Sequence, residues 1–445
     1  MSDIIVYLNP FQGGGSACYV KAPLEFVDSD LVTQVRFDEV YALHGPTVRQ
    51  VGELLAAKIR ENHAVDSVFD HVLHHPGGLS SQPIGFRVGD ADAHGLSWEA
   101  LRCGNDFIAL DPRWPIVRIA RGGNVQDGAQ RSFAPPLHLA CVLSAVGRPA
   151  INEWWKIYSA VRNARRSLQF PIRVTLFAGE EAEVIKLAKK AARKLGDPDV
   201  RVEPVPGNAS ELLKTLTDLT PPAQLLHFYC HGMIASTERM LEIGTINDFD
   251  NAGGEFGPSS VQLRVQELGQ TAAKTGTWAV ILNICHGAEA AGTALTHAEE
   301  IVNSGVPVSI GMRRQVDAED AFAFSGAFYP EVFAAIRNAV LRPDVQMISW
   351  GDTLLQARRK LRDTHGNDPD LHDAWTLPVL YTRPGRFNVV LADPADPSRT
   401  IRSRSTTQEV EHLGDALPDE KTSRGVLDDL QAWLREEGFS EDDSS

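Results

Sequence analysis

From Leu137 to Thr382 the chain alternates short apolar runs, rich in Val, Ile and Leu, with longer amphipathic stretches. "LHLACVLSAVG" precedes the helical pattern "INEWWKIYSAVRNARRS", and "IRVTLFAG" precedes "EEAEVIKLAKKAARKLG". "VRVEPVPG" leads to a short helix, "ASELLKTLTDL". "QLLHFYC" and "TWAVILNIC" carry few polar residues, as strands buried on both faces do. "VPVSIGM" follows, then two helices around 318–340 and 344–363, then "LPVLYT". Strands alternating with helices in this way predict an α/β fold with a mostly parallel sheet covered on both faces. The first ~135 residues are less regular. There "DIIVYLN", "PIGFRVGD" and "PIVRIAR" read as strands, and "TVRQVGELLAAKIREN" as a helix through Val51, Leu54, Leu55 and Ile59. No repeat of fixed period is present.

The bulk properties narrow the function classes. With 445 residues, 43% of them hydrophobic, the chain has ample material for a core. No apolar run approaches the ~20 residues that span a bilayer, and the first residues lack a signal-peptide pattern. A cytoplasmic location without a membrane partner is therefore expected. Five cysteines do not make a disulfide framework, so reduced thiols are expected. The net charge of -15 is concentrated at one end: from Glu409 onward twelve Asp/Glu face Lys421, Arg424 and Arg435, a balance of -9. Nothing in this distribution suggests a nucleic-acid partner. Residues 394–445 read as a linker and acidic tail. Within it, a helix over 424–438 places Val426, Leu427, Leu430, Trp433 and Leu434 on one face and is a candidate docking element.

The tripeptide Cys-His-Gly occurs twice, at Cys230–Gly232 and Cys285–Gly287, each time where a central strand ends. Ligand crevices in parallel sheets form at strand carboxyl ends. Cys230, His231, Cys285 and His286 are thus candidates for one cluster. As zinc ligands they are poorly spaced, because structural sites separate paired ligands by two to five residues and adjacent residues at a strand end face opposite sides. No metal or other cofactor is expected. Taking one residue from each pair gives His231 beside Cys285, an imidazole that can generate a thiolate nucleophile. The backbone N–H groups of Gly232 and Cys285 could then form an oxyanion hole. The spacing alone leaves a third reading open: two buried cysteines and two core histidines.

Several longer stretches resemble the CHAT peptidases, caspase-like relatives of separase and the gingipains. They are "HGLSWEALRCGNDFIALDPRWPIVR", "LLHFYCHG", "AVILNICHGAEAAG", "VNSGVPVSIGMRRQVDAEDAFAFSGAFYPEVF", "LLQARRKL" and "WTLPVLYT", spanning roughly residues 90–385. The resemblance implies a caspase-like fold: a central, mostly parallel sheet flanked by helices. It implies an accessory or pseudo-caspase part over 1–134, a peptidase core over 135–393 and the tail beyond. It further implies a cysteine endopeptidase with His231 as base and Cys285 as nucleophile, acting on a partner protein in bacterial defence or cell-death signalling, with a regulatory protein encoded nearby. No side chain presents itself as a third catalytic residue, and a backbone carbonyl can orient the imidazole. The alternative is a catalytically inactive caspase-like scaffold or regulatory interaction protein.

Substrate choice rests on weaker signals. Asp317 and Asp320, after the strand "VPVSIGM", could select Arg or Lys before the scissile bond, whereas Arg313 and Arg314 beside them would suit an acidic side chain. "FQGGGSA" lacks the Lys-Ser/Thr of a P-loop and reads as a flexible loop. His44-Gly45, His94-Gly95 and His365-Gly366 read as turns, and Cys18, Cys103 and Cys141 as core or surface thiols.

Overall fold

The computed structural model describes residues 4–391 apart from 23–26, 29, 75–80, 122–128, 147–149, 169–170, 180–185, 187–198, 236–237, 251–259, 285–292, 341–345, 367–369, 371 and 385–386. The expected helix "EEAEVIKLAKKAARKLG" (apart from Lys186), the pair Cys285–His286, the start of the expected helix at 344 and the acidic tail all lie outside the described residues.

Twelve strands of the described residues form one sheet. In chain order they include β1 (Ile4–Pro10), β2 (Ser16–Lys21), β3 (Thr33–Val35), β4 (Ile84–Val88), β5 (Ile116–Ile119), β6 (Leu137–Leu143), β7 (Ile172–Ala178), β8 (Val200–Pro204) and β9 (Leu225–Tyr229). A separate antiparallel sheet follows from β10 (His231–Ala235), β11 (Glu238–Ile243) and β12 (Val261–Arg264), and the main sheet is completed by β13 (Ala279–Leu282), β14 (Val308–Met312) and β15 (Pro378–Thr382). The spatial order of the main sheet is β8-β7-β6-β9-β13-β14-β15-β5-β4-β1-β2-β3.

The block from β8 to β14 is parallel throughout, as the alternation of strands and helices predicts. The direction then reverses, because β15 pairs antiparallel with β14. Two helices separate these strands, α7 (Ala318–Val340) and α8 (Trp350–Thr364). An even number of crossings returns the chain in the opposite direction. β15, β5, β4 and β1 then run parallel to one another.

Side-chain alternation along the central strands divides the core into two layers. Leu139, Cys141 and Leu143 face one layer, and Ala140 and Val142 the other. The first layer is covered by α1 (Val48–Ile59), α2 (His63–His74), α3 (Ala150–Leu168), α7 and α8, through residues such as Trp154, Phe328 and Leu354. The second is covered by α4 (Ala209–Thr217), α5 (Val265–Lys274) and α6 (Thr293–Asn303), through Leu212, Leu268 and Ile301. Each fully buried aliphatic or aromatic side chain stabilises this arrangement by about 1.5–3 kcal/mol relative to exposure. Helix α1 starts at a capping box: the Thr47 hydroxyl accepts from the Gln50 N–H at 3.2 Å, and Gln50 Oε1 accepts from the Thr47 N–H at 3.0 Å.

Coverage differs at the β1 end. Residues of β1 and β2 alternate buried and half-buried, so among the described residues helices seal only one face there. On the open face Tyr7 and Tyr19 stack across the strand pair at 4.6 Å. The "FQGGGSA" loop turns through Gly13, Gly14 and Gly15, all with positive φ, before β2 begins at Ser16.

Candidate active site

Because β6, β9, β13 and β14 are parallel, their carboxyl ends lie along one edge of the sheet. That edge collects Val146 after β6, Cys230 and His231 after β9, Asn283 and Ile284 after β13, and Arg313 after β14. β9 and β13 are direct neighbours, and the Asn283 N–H extends their ladder to the Phe228 carbonyl at 2.9 Å. The two Cys-His-Gly segments therefore leave adjacent strands.

His231 is buried, and its Nε2 lies 2.9 Å from the Val146 carbonyl oxygen. A carbonyl only accepts, so Nε2 carries the hydrogen. This fixes the ring orientation. Gly232 faces Ile284, the residue preceding Cys285. A Cβ at Gly232 would lie 3.0 Å from Ile284 Cγ2 and 3.6 Å from His297 Nε2. The glycine thus permits a close approach of the two strand ends. His297, on α6, is itself buried and bonded through Nε2 to the Met240 carbonyl at 3.0 Å.

Glu242 on β11 sits opposite His231 in the antiparallel ladder. Burial raises its pKa; the His231 charge pulls it down and Asp248 pushes it further up. Cys230 packs into the apolar second layer with Phe228, Leu241 and Ile284. Among the described residues no group of three His, Cys, Asp or Glu side chains could hold a metal ion; that statement covers neither Cys285 nor His286.

The candidate specificity residues have different surroundings. Asp317 is exposed. Asp320 is buried and lies 2.7 Å from His365 Nε2 at the end of α8. Arg313 Nη2 is 3.1 Å from Thr376 Oγ1 and 3.4 Å from Asp373 Oδ2, and Arg314 pairs with the same carboxylate. Burial lowers the Arg313 pKa.

The CHAT domain family model matches residues 159–349. This stretch, under half of the chain, is similar to CHAT domains. The match takes in His231, Gly232, Asn283 and Cys285 and begins after Val146. Among solved structures the chain is similar to the Saccharomyces cerevisiae separase–securin complex, with 11% identity and a TM-score of 0.33, over 76% of this chain and 18% of that one. It is also similar to the Arg-specific cysteine proteinase gingipain R, with 9% identity and a TM-score of 0.40, over 74% of this chain and 69% of that one. The chain thus spans under a fifth of the length of the separase chain. Comparison with the curated proteins finds no match. Among the described residues no helix is long and apolar enough to cross a membrane.

Around this edge of the sheet the structure corrects one reading of the sequence and adds groups that sequence reasoning missed. His44-Gly45 and His365-Gly366 are turns with positive φ at the glycine. His94-Gly95 is not a simple turn. The His94 side chain is buried, with Nε2 2.9 Å from Glu299 Oε2 on α6 and 3.2 Å from the Tyr381 hydroxyl. Val146 was invisible because it acts through its backbone, which leaves no signature in side-chain type. A histidine inside the apolar run "LLHFY" was a usable signal. His227 is fully buried and lies 3.0 Å from Glu153 Oε1.

Proposed function

We propose that the chain is a cysteine endopeptidase in which Cys285 is the nucleophile and His231 the general base. The observation that carries this reading is the His231 ring, held through Nε2 by the Val146 carbonyl beside Gly232, which packs against the residue preceding Cys285. Nδ1 would take the thiol proton, and the thiolate would attack the scissile carbonyl carbon. The Gly232 and Cys285 N–H groups would receive the oxyanion. Nδ1–H would then protonate the departing amine, leaving a thioester that water hydrolyses with His231 again acting as base. The substrate is a protein, and the setting is regulated cleavage in bacterial defence or cell-death signalling.

The exposed carboxylate of Asp317 supports selection of Arg or Lys before the scissile bond, since Asp320 and Arg313 are already engaged by His365, Thr376 and Asp373. The tail helix over 424–438 is the proposed docking element for a regulatory protein or for the substrate.

An electrophilic peptide probe tests the reading. Burial raises the pKa of Cys141 and pushes the Cys103 and Cys18 thiols up to about 11 and about 12, so these three should resist labelling at neutral pH. Selective labelling of Cys285, with loss of peptide hydrolysis, is expected. Absence of labelling in a folded chain that cleaves no peptide would favour the scaffold reading.

A further inference from the structure

Under the strand end that leads to Cys285 lies a polar cluster sealed from solvent. Asn283 Nδ2 is 3.0 Å from Glu153 Oε1, 3.1 Å from the Ala321 carbonyl and 3.3 Å from Ser325 Oγ. The Ser325 hydroxyl donates to the same Glu153 oxygen, and His227 Nε2 lies 3.0 Å from it. The Tyr329 hydroxyl is 2.8 Å from His227 Nδ1. Burial drives the Tyr329 pKa far up, with Cys141 and Glu153 adding to it, so the phenol keeps its proton. His227 Nε2 is close to Glu153 but makes no hydrogen bond among the described residues. Glu153, His227, Asn283, Ser325 and Tyr329 are all at 0% exposure.

Stability is a weak reason for such a cluster. Replacing buried ionic groups by well-packed apolar ones is often neutral or stabilising. Glu153 Oε2, His227 Nε2 and Asn283 Oδ1 are also buried without a hydrogen bond among the described residues. Position gives a stronger reason. Glu153 lies in the first turn of α3, which follows the connection bearing Val146, the group that orients His231. Asn283 stands two residues before Cys285.

We propose that Glu153 is a positioning residue for the dyad, joining the segment that orients His231 to the strand end that presents Cys285 through its bond to Asn283. Ser325 donates to the same carboxylate, and His227 and Tyr329 enclose it. This rests on the cysteine-peptidase reading, and the test separates the two. In full-length protein, Glu153→Gln keeps the side-chain shape and removes the charge. The readouts are melting temperature, the pH profile of Cys285 alkylation by iodoacetamide followed by mass spectrometry, and kcat and KM on a peptide substrate. A folded variant is expected with Cys285 alkylation at neutral pH slowed about tenfold and kcat lowered about 10–100-fold at nearly unchanged KM, as displacement of a reacting group produces. If Glu153→Gln does not fold, Ser325→Ala, which removes a hydroxyl that donates to Glu153, should show the same changes in the same direction. A folded variant with the wild-type alkylation profile and kcat would overturn the proposal. A wild-type chain whose Cys285 is no more reactive than its other thiols would overturn the peptidase reading, and the proposal with it.

Discussion

The Nε2 of His231 hydrogen-bonds the carbonyl of Val146 at 2.9 Å, and in the proposed mechanism this backbone group would take the orienting role that a carboxylate plays in a side-chain triad. A substitution can keep that bond and remove the base. His231→Gln can still donate to the Val146 carbonyl but cannot exchange a proton. Peptide hydrolysis should fall by about three orders of magnitude or more, as in His231→Ala and Cys285→Ala, with the melting temperature little changed. Steady-state kinetics beside a thermal melt checks this; full activity in Cys285→Ala would end the assignment.

Gly232 offers a steric test. In Gly232→Ala the new methyl would sit 3.0 Å from Ile284 Cγ2, tighter than ordinary van der Waals contact. Ile284 must yield, at a cost of about 1–3 kcal/mol, and the residue after it moves with it. Activity should drop more than stability. Adding Ile284→Ala, which removes Cγ2, should recover part of the activity.

Peptide-library profiling reads the specificity loop. With Asp317 exposed and Arg313 and Arg314 engaged by Asp373, cleavage after Arg or Lys is expected, and Asp317→Asn should weaken that preference. Cleavage after Asp instead would transfer the role to the arginines.

Acid stability should depend on Glu299. Burial works to raise its pKa, but bonds from His94 and Arg121 outweigh burial and hold it down to about 2, against an ordinary 4.5. A depressed carboxyl contributes stability that is fully present above the unfolded value and disappears as pH falls through the folded one. The contribution, about 3 kcal/mol at most, should therefore be lost between about pH 4.5 and pH 2. Denaturation by urea across that window should show a shallower pH dependence in Glu299→Gln. An identical dependence in both proteins would refute the assignment.

The sequence by itself determined the strands of the main sheet apart from β2 and β3, several of its helices and the two faces of the central sheet, but not the small sheet β10–β12 or helices α2 and α5. Runs such as "LHLACVL" and "AVIL" need no distant information: alternation and β-branched content are local consequences of backbone geometry. It also marked His231 and Cys285, because a strand end in a parallel sheet is where a reactive side chain can meet a ligand. Tertiary structure decided what stands beside them. The reversal at β15, the Val146 carbonyl on His231, the close approach of Gly232 to Ile284, the Glu153–Asn283 bond and the burial of His94 against Glu299 all join residues far apart in the chain. None has a local pattern. A backbone carbonyl is common to every residue, and a lone Glu on a helix or a His before a glycine looks solvent-facing until strand order and helix packing remove the water around it.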